Sequence, residues 1–285
     1  MRLPKTASFV FYSATGVTDR IFIKNFFMKN KTETFAQIMA RFSYRYDTRT
    51  VFNDFLTMTL CSFSQNLATG KSHDEDLYLE TIGKYKNDDL RFEFPKLLAR
   101  LTIEMEERLD SGFGTDVLGD FYEQNMSRKG SGQFFTPWPI CMFMASCTGE
   151  SLEDKPVDRP LRILDPCCGS GRMLLAGKKV NGPMHEYYGV DIDETCVKMA
   201  ALNLFLNGMF HSEVMCADAL ARDDFRFSYR TSFLPFGIFR VTEKEQSPLW
   251  HLMQNAWPEK KVKEQKEPPA FSETKVVTGN QLTIF

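Results

Sequence analysis

One segment, Leu161–Arg172, limits most strongly what this chain can fold into. A short apolar stretch ends in Asp165, and a turn with glycines at positions 169 and 171 leads into a helical pattern. This order is typical of the carboxyl end of a parallel strand, where α/β sheets bind their ligands. Glycine lets the backbone approach a ligand closely, and the start of the helix leaves N–H groups free to bind it. The segment therefore predicts an α/β fold with a ligand site at one edge of a parallel sheet.

The residues around this turn favour a cationic ligand over a dinucleotide. The dinucleotide fingerprint would place a third glycine at position 174, where this chain has Leu174. Asp165 stands immediately before the turn, where its carboxylate would repel a pyrophosphate and attract an ammonium or sulfonium group. S-adenosylmethionine carries both of these cations and is the expected cofactor. The alternative is a tight strand-to-helix turn that binds nothing.

Two further strand-like segments end in acids farther along the chain. The segment Tyr187–Asp193 contains Asp191, whose carboxylate can accept hydrogen bonds from both ribose hydroxyls of a nucleoside. Glu213–Cys216 leads to Asp218, which would face the exocyclic amine of an adenine. The ends of parallel strands meet at one edge of a sheet, so these acids predict a single nucleoside pocket. Asp193 has a different expected role, as the N-cap of the next helix.

A segment upstream of the glycine turn completes a set of motifs. In Gly130–Pro137, Thr136 is expected to cap a helix that has Pro137 at its first position. With these pieces the chain closely resembles the modification subunits of type I restriction systems, a family of adenine-N6 DNA methyltransferases. The resemblance covers roughly residues 115 to 220, and the matching segments are Asp116–Glu123, Gly132–Pro137, Asp165–Gly171, Gly189–Asp193, Asn203–Gly208 and Asp218–Leu220.

The resemblance implies a fold and a set of cofactor contacts. The implied fold is a Rossmann-like S-adenosylmethionine-dependent methyltransferase sheet, α/β in class, with an amino-terminal α-helical domain. The implied contacts are Phe134, Phe135 and Thr136 at the methionine end, Asp165, Gly169 and Gly171 in the floor, Asp191 at the ribose and Asp218 at the adenine amine. Pro166, Ile192 and Ala219 are the remaining cofactor contacts expected from the same motifs.

The family's catalytic tetrapeptide, Asn-Pro-Pro followed by Phe or Tyr, does not occur in this sequence. In that motif, amide and carbonyl oxygens accept the two hydrogens of the adenine amine, and the aromatic ring stacks on the flipped base. Phe233–Gly237 keeps a proline and an aromatic residue but lacks the amide, and is favoured as a degenerate remnant. A second segment keeps a polar residue, a proline and an aromatic residue. The candidate catalytic positions are Pro235, Phe236, Ser247, Pro248 and Trp250.

The sheet is expected to be incomplete at its carboxyl-terminal end. About fifty residues follow Phe236, whereas a complete sheet of this class needs about three more strands at ~30 residues per strand–helix unit. The segment Phe225–Arg230 alternates apolar and polar residues, which is typical of a half-exposed strand. We expect it to form a sheet edge that a partner subunit or a second copy of the chain could cover.

Three domains are predicted. Residues 1–114 form a helical domain, in which Thr34 and Gln37 make a capping box and the many phenylalanines form the core. Residues 115–257 form the S-adenosylmethionine-binding domain, and residues 258–285 form a charged, flexible tail. The tail ends in a pentapeptide that resembles the bacterial sliding-clamp-binding motif, and the alternative is a terminal strand added to the domain. The partner-binding residues would be Gln281, Leu282, Ile284 and Phe285.

Composition sets the remaining expectations. A net charge of −2 predicts that the chain alone binds double-stranded DNA weakly, because phosphate neutralisation supplies most nonspecific affinity. Seven cysteines without a C-x-x-C pair, and no leader segment, predict a reduced, cytoplasmic chain without a metal site. No apolar run approaches the roughly 20 residues of a membrane span.

Three functions are compatible with these motifs. The first is an S-adenosylmethionine-binding, adenine-N6 DNA methyltransferase-like protein that works with DNA and with a specificity subunit or a second copy. The second is a catalytically degenerate relative that binds the cofactor and transfers nothing. The third is an interaction module tethered to a sliding clamp through the terminal pentapeptide.

Overall fold

The computed structural model describes residues 33–64, 74–109, 114–126, 134–153, 160–182, 184–221, 223–233 and 236–256. The amino-terminal part of these residues is helical. Its elements are α1 (Phe35–Ala40), α2 (Thr48–Phe63), α3 (Glu75–Gly83), a 3-10 turn (Asp89–Phe92), α4 (Glu93–Arg108) and α5 (Val117–Asn125).

Local sequence explains how the first helices begin and pack. The backbone N–H of Gln37 donates to the Thr34 hydroxyl at 3.2 Å, and the Thr34 N–H donates back to the Gln37 side chain at 2.7 Å. This is the predicted capping box, which satisfies two of the free N–H groups at the helix start. Aromatic rings fill the space between the helices, as in the pair Phe42 and Phe94, whose ring centroids lie 4.9 Å apart. The prediction that these phenylalanines form a core is confirmed.

The carboxyl-terminal part contains a five-stranded sheet. Helix α6 (Trp138–Glu153) precedes it, and the elements that follow are β1 (Arg162–Asp165), α7 (Arg172–Asn181), β2 (Glu186–Asp191), α8 (Glu194–Leu206), β3 (Ser212–Cys216), β4 (Phe227–Phe233), β5 (Phe236–Val241), a 3-10 turn (Lys244–Gln246) and α9 (Pro248–Ala256). The strand order is β1-β2-β3-β4-β5. The first three strands are parallel, and β4 and β5 are added antiparallel to β3 and to each other. The predicted α/β class with a parallel cofactor-type sheet is confirmed.

The expectation that Phe225–Arg230 is a sheet edge is wrong. Strand β4 lies between two partners, since Met215 of β3 pairs with Ser228 and Ile238 of β5 pairs with Thr231. Alternation of apolar and polar residues reports one solvated face, and an interior antiparallel strand has such a face as readily as an edge strand. Among the described strands, β5 and β1 form the two edges of the sheet.

Helix α8 joins the sheet to the helical part. Its residues from Cys196 to Phe205 are almost all buried, because one side contacts the sheet and the other contacts α2. The rings of Phe63 and Phe205 lie 5.0 Å apart, and the Lys198 ammonium donates to the Asn53 side chain at 2.9 Å. The helix is capped by Asp193, whose carboxylate accepts from the next backbone N–H groups, as predicted.

One continuous cluster of buried side chains extends from Phe35 in α1 to Ile238 in β5. The domain boundary near residue 114 and the incomplete sheet stay predictions, and the tail at residues 258–285 lies outside the described residues. None of the helices in the described parts of the chain is long and apolar enough to span a bilayer.

Candidate cofactor site at the carboxyl edge of the parallel strands

The glycine turn has the backbone conformation that its sequence predicts. It connects β1 to α7, and both Gly169 (φ +54°) and Gly171 (φ +84°) occupy the left-handed region, which residues with a Cβ atom rarely adopt. A Cβ atom on Gly169 would lie 2.7 Å from a ring carbon of Phe135, and one on Gly171 would lie 3.3 Å from the Ala200 methyl group. A side chain at Gly169 would therefore clash with Phe135, and one at Gly171 would crowd Ala200.

Asp165 and Asp191 lie at the ends of neighbouring parallel strands. Asp165 pairs with Gly189 in the β1–β2 register, and its carboxylate accepts a hydrogen bond from the Cys167 N–H at 3.1 Å. Asp191 accepts from the Gly169 N–H at 2.8 Å and from the Asp193 N–H at 2.9 Å. Each carboxylate oxygen has a second lone pair, so Asp191 can hold the turn and still accept from a ligand.

The third acid, Asp218, follows the end of β3, the next strand in the sheet. Its carboxylate accepts from the Leu220 N–H at 2.9 Å, and its own N–H donates to Asp224 at 2.6 Å. The neighbouring Ile192 and Leu220 side chains are exposed. The edge therefore carries acids at or just after three successive strand ends, with exposed apolar side chains close in sequence to Asp191 and Asp218.

Burial changes the acidity of the first two carboxyl groups. Burial raises the pKa of Asp165, against the hydrogen bond from Cys167, and the nearby charge of Asp191 adds to the rise. Burial also raises the pKa of Asp191, against the hydrogen bonds from Asp193 and Gly169. A cationic ligand beside either carboxylate would offset this effect of burial by favouring the charged form.

A small cleft of about 60 Å³ opens at the end of β1. Its walls include Phe134, Phe135, Thr136, Asp165, Cys167 and Gly169, whereas Asp191, Ile192 and Asp218 lie beyond it on the neighbouring strand ends. A volume of this size accommodates one end of a cofactor, not a whole nucleoside.

A larger cavity of about 510 Å³ lies in the helical part, among Arg41, Arg45, Asp88 and Glu93. Its charges are paired with one another.

The segment before α6 differs from the prediction by one residue. The Cys141 N–H donates to the Pro137 carbonyl, and the helix begins at Trp138. Pro137 thus occupies the cap position that was predicted for Thr136. The Thr136 carbonyl accepts from the Arg172 guanidinium at 3.3 Å. Phe135 is buried over the glycine turn, and Phe134 is 82 % exposed at the mouth of the cleft.

Sequence reasoning missed a buried charged cluster behind the turn. The Arg172 guanidinium, which is 8 % exposed, pairs with Asp116 at 2.8 Å, Asp120 at 3.0 Å and Glu123 at 3.3 Å. Burial lowers the pKa of Arg172, but the three carboxylates outweigh it and the net shift is upward. The spacing of the acids at 116, 120 and 123 places them on one helical face, and this signal could have revealed the cluster.

The cysteines of the turn differ in exposure. Cys167 is exposed, whereas Cys168 is buried and its pKa is raised by that burial. Within the described residues, no three or more His, Cys, Asp or Glu side chains lie close enough together to hold a metal ion.

The first candidate for the catalytic segment lies away from the cleft. Strand β4 runs antiparallel to β3, and its last residue, Phe233, pairs with Phe236 beyond the level of Ser212 at the start of β3. This hairpin is therefore at the amino-terminal edge of the parallel strands, and the acids are at the opposite edge. The register places Phe236 at the edge opposite the acids, and Pro235 lies outside the described residues, so a catalytic role for either residue stays a prediction.

The second candidate has a structural role. The Ser247 hydroxyl is fully buried and donates to Glu213 of β3 at 2.5 Å, while it accepts from the Trp250 N–H at 3.0 Å. Ser247 thus caps helix α9, of which Pro248 is the first residue. These contacts fix the segment beside β3 and leave the Ser247 oxygen occupied. Gln281, Leu282, Ile284 and Phe285 lie outside the described residues, so clamp binding stays a prediction.

Comparison with known proteins supports the motif assignment. Residues 114–264 match the family described as N-6 DNA Methylase. The Type II restriction enzyme and methyltransferase RM.BcgI of Heyndrickxia coagulans is 26% identical over 141 residues, which are 44% of this chain and 21% of that protein. The Type I restriction enzyme MjaVII methylase subunit of Methanocaldococcus jannaschii is 24% identical over 230 residues, which are 72% of this chain and 38% of that protein.

Among solved structures, the type I restriction-modification system methyltransferase subunit from Streptococcus thermophilus is similar, with 19% identity and a TM-score of 0.35. The match covers 66% of this chain and 57% of that one. The chain spans less than two fifths of the length of either sequence relative. The family match covers more than half of the 285-residue chain, and the predicted resemblance is confirmed. The chain belongs to the N-6 DNA methylase family.

Proposed function

We propose that this chain binds S-adenosylmethionine across the carboxyl ends of β1, β2 and β3. The observation that carries the proposal is the left-handed turn at Gly169, whose N–H is held by Asp191 of the neighbouring strand. Strands in a sheet are ~4.8 Å apart, so one extended ligand can cross all three ends. The methionine end would lie over β1, the ribose over Asp191 and the adenine beside Asp218.

The charge of the site suits the cationic end of this cofactor. Asp165 lies in the wall of the small cleft, and burial raises its pKa despite the hydrogen bond from the Cys167 N–H. An ammonium group there would stabilise the carboxylate and form a charge-assisted hydrogen bond with it. Pro166 follows in the same turn, and the Thr136 segment forms the facing wall.

The nucleoside end has the features that an adenosine needs. Asp191 retains accepting lone pairs for the ribose hydroxyls. The exposed Ile192 side chain provides an apolar surface for the adenine ring, and the Asp218–Ala219 segment follows β3 on the other side. A flat ring that covers this exposed isoleucine removes apolar surface from water, which stabilises the bound state.

We further propose that the bound cofactor serves the methylation of adenine N6 in DNA. Family membership and the matched methyltransferases support this reaction class. A net charge of −2 gives the chain little nonspecific attraction to phosphates. The proposed partners are therefore DNA together with a specificity subunit or a second copy that supplies the missing positive surface.

A second candidate function is cofactor binding without methyl transfer. It is favoured by the position of the β4–β5 hairpin at the far edge of the sheet and by the buried, capped state of Ser247. The described ends of the hairpin, Phe233 and Phe236, lie at the edge opposite the proposed cofactor site, and the Ser247 hydroxyl is buried against Glu213.

A tritiated methyl-transfer assay separates the two candidates. The chain is incubated with labelled S-adenosylmethionine and unmethylated DNA, alone and with candidate specificity subunits, and the DNA is digested to identify N6-methyladenine. Label in N6-methyladenine supports methyl transfer. Cofactor binding with no label in any combination supports the second candidate, and the absence of cofactor binding contradicts both.

A further inference from the structure

Glu123 connects the buried arginine to the wall of the cleft. One of its carboxylate oxygens accepts a hydrogen bond from the Phe135 N–H at 2.8 Å. The other accepts from two guanidinium nitrogens of Arg172, each at 3.3 Å. The side chain of Glu123 is 29% exposed and that of Arg172 is 8% exposed, so the contact is largely shielded from water.

Phe135 is the side chain that this connection positions. Its ring lies directly over Gly169, where an added Cβ atom would approach to 2.7 Å. The Arg172 guanidinium lies 5.6 Å from the centre of the ring, and the Tyr122 ring lies 5.7 Å away. Residues 134–137 have no regular secondary structure of their own. Their conformation therefore depends on anchors of this kind.

We propose that Glu123, itself fixed by Arg172, is a positioning residue that holds the Phe135 segment across the methionine end of the cofactor site. The inference rests on the proposed function and adds a residue to it. An unanchored segment would have to be ordered when the ligand binds, and that ordering would weaken affinity. Glu123 would remove this cost before binding.

Removing the Glu123 anchor should affect the contacts at one end of the ligand only. The cleft that Phe135 lines contains Asp165 but neither Ile192 nor Asp218, which belong to the adenosine end. Loss of the anchor should therefore weaken the binding of ligands that carry the amino-acid end and leave the binding of ligands that lack it unchanged. 5′-Methylthioadenosine is such a truncated ligand, because it keeps the nucleoside and the sulfur and has no amino-acid group.

The test compares two variants and a matched control. Glu123→Ala removes both contacts, whereas Glu123→Gln keeps an oxygen for the Phe135 N–H and loses the charge. The control is Asp120→Ala, on the same helix. Its 34% exposed side chain pairs with the same arginine at 3.0 Å and with Arg108, and it is not the carboxylate that accepts from the Phe135 N–H. Arg172 itself is left unchanged, because its removal would strand buried carboxylates. Calorimetric titration gives the Kd of each protein for S-adenosylmethionine and for 5′-methylthioadenosine.

Glu123→Ala should raise the Kd for S-adenosylmethionine about tenfold, which corresponds to the cost of ordering about one backbone residue on binding, and it should leave the Kd for 5′-methylthioadenosine unchanged. Glu123→Gln should recover most of the loss, and Asp120→Ala should change neither Kd. A general loss of stability would weaken the binding of both ligands to the same extent. An unchanged ratio of the Kd for S-adenosylmethionine to the Kd for 5′-methylthioadenosine therefore overturns the inference. If the unaltered chain binds neither ligand, the proposed function itself fails, which is a separate result.

Discussion

At the scale of single residues, the proposed cofactor site depends on the two glycines of the turn and on the acids at the strand ends. These residues could be recognised from the sequence because their spacing follows directly from the strand–turn–helix connection. Arg172 and Glu123 could not be assigned in the same way. Their roles depend on contacts with α5 and the Phe135 segment, 49 and 12 positions away along the chain.

Gly169→Ala should disrupt the turn. The φ of +54° costs a residue with a Cβ atom ~1–2 kcal/mol, and the new methyl group would meet the Phe135 ring. We expect that loss of stability in denaturant unfolding, together with a more than tenfold weaker binding of S-adenosylmethionine. Gly83→Ala is the matched control, because nothing lies within 4 Å of its Cβ position. Equal effects of the two substitutions would contradict the role given to the turn.

The raised pKa values of Asp165 and Asp191 predict a pH dependence. In the free chain, raised folded-state values mean that these groups favour stability at low pH, and the contribution is lost as the pH rises through them. A bound cation favours the carboxylates and so lowers their pKa values. The thermal stabilisation produced by S-adenosylmethionine should therefore be larger at neutral pH than in acid. Asp165→Asn should flatten this dependence, and a shift that grows on acidification would contradict it.

At the scale of secondary-structure elements, the parallel strands were predictable and the antiparallel ones were misjudged. Strands β1, β2 and β3 each end in an acid and lead into a turn or a helix, which identifies both their direction and their common edge. The alternating pattern of β4 indicated one exposed face, but only Arg230 of that face is exposed and Ser228 is buried. The pattern also could not report how many neighbours the strand has. Pairing partners depend on residues distant in the chain.

The pairing of α5 with α7 through Arg172 gives a stability prediction. Arg172→Ala removes the cation shared by Asp116, Asp120 and Glu123. Asp120 keeps its pair with Arg108, but the buried Asp116 loses this partner, and loss of one partner of a buried ion pair costs ~3–5 kcal/mol. Chemical denaturation should show a loss of this size. The control Arg162→Ala breaks an exposed pair with Glu186 and should cost at most ~1 kcal/mol. Similar losses in both variants would rule out a special role for the buried cluster.

At the scale of the whole molecule, the helical part and the sheet share one core. The buried cluster extends from α1 to β5, and α8 contacts both the sheet and α2. Composition and local pattern predict a domain boundary near residue 114, which stays a prediction, and neither of them reports which faces of the two parts meet. The continuity of the core depends on tertiary contacts such as that of Phe63 with Phe205.

This shared core predicts cooperative unfolding. Circular dichroism at far- and near-ultraviolet wavelengths should show coincident transitions, as expected when a molecule unfolds as one unit. Residues 115–257 expressed alone would expose the α2-facing side of α8 and should aggregate or bind hydrophobic dyes. Two separated transitions, with a stable isolated fragment, would instead establish two independent domains.

The central claim is that neighbouring strand ends converge on one S-adenosylmethionine. Calorimetric titration of this cofactor into the chain tests it most directly, with Asp165→Asn and Asp191→Asn as variants and the exposed Asp76→Asn as control. We expect one binding site per chain, a Kd that each of the two variants raises about tenfold and an unchanged Kd in the control. Absence of binding, or binding that neither variant weakens, would contradict it.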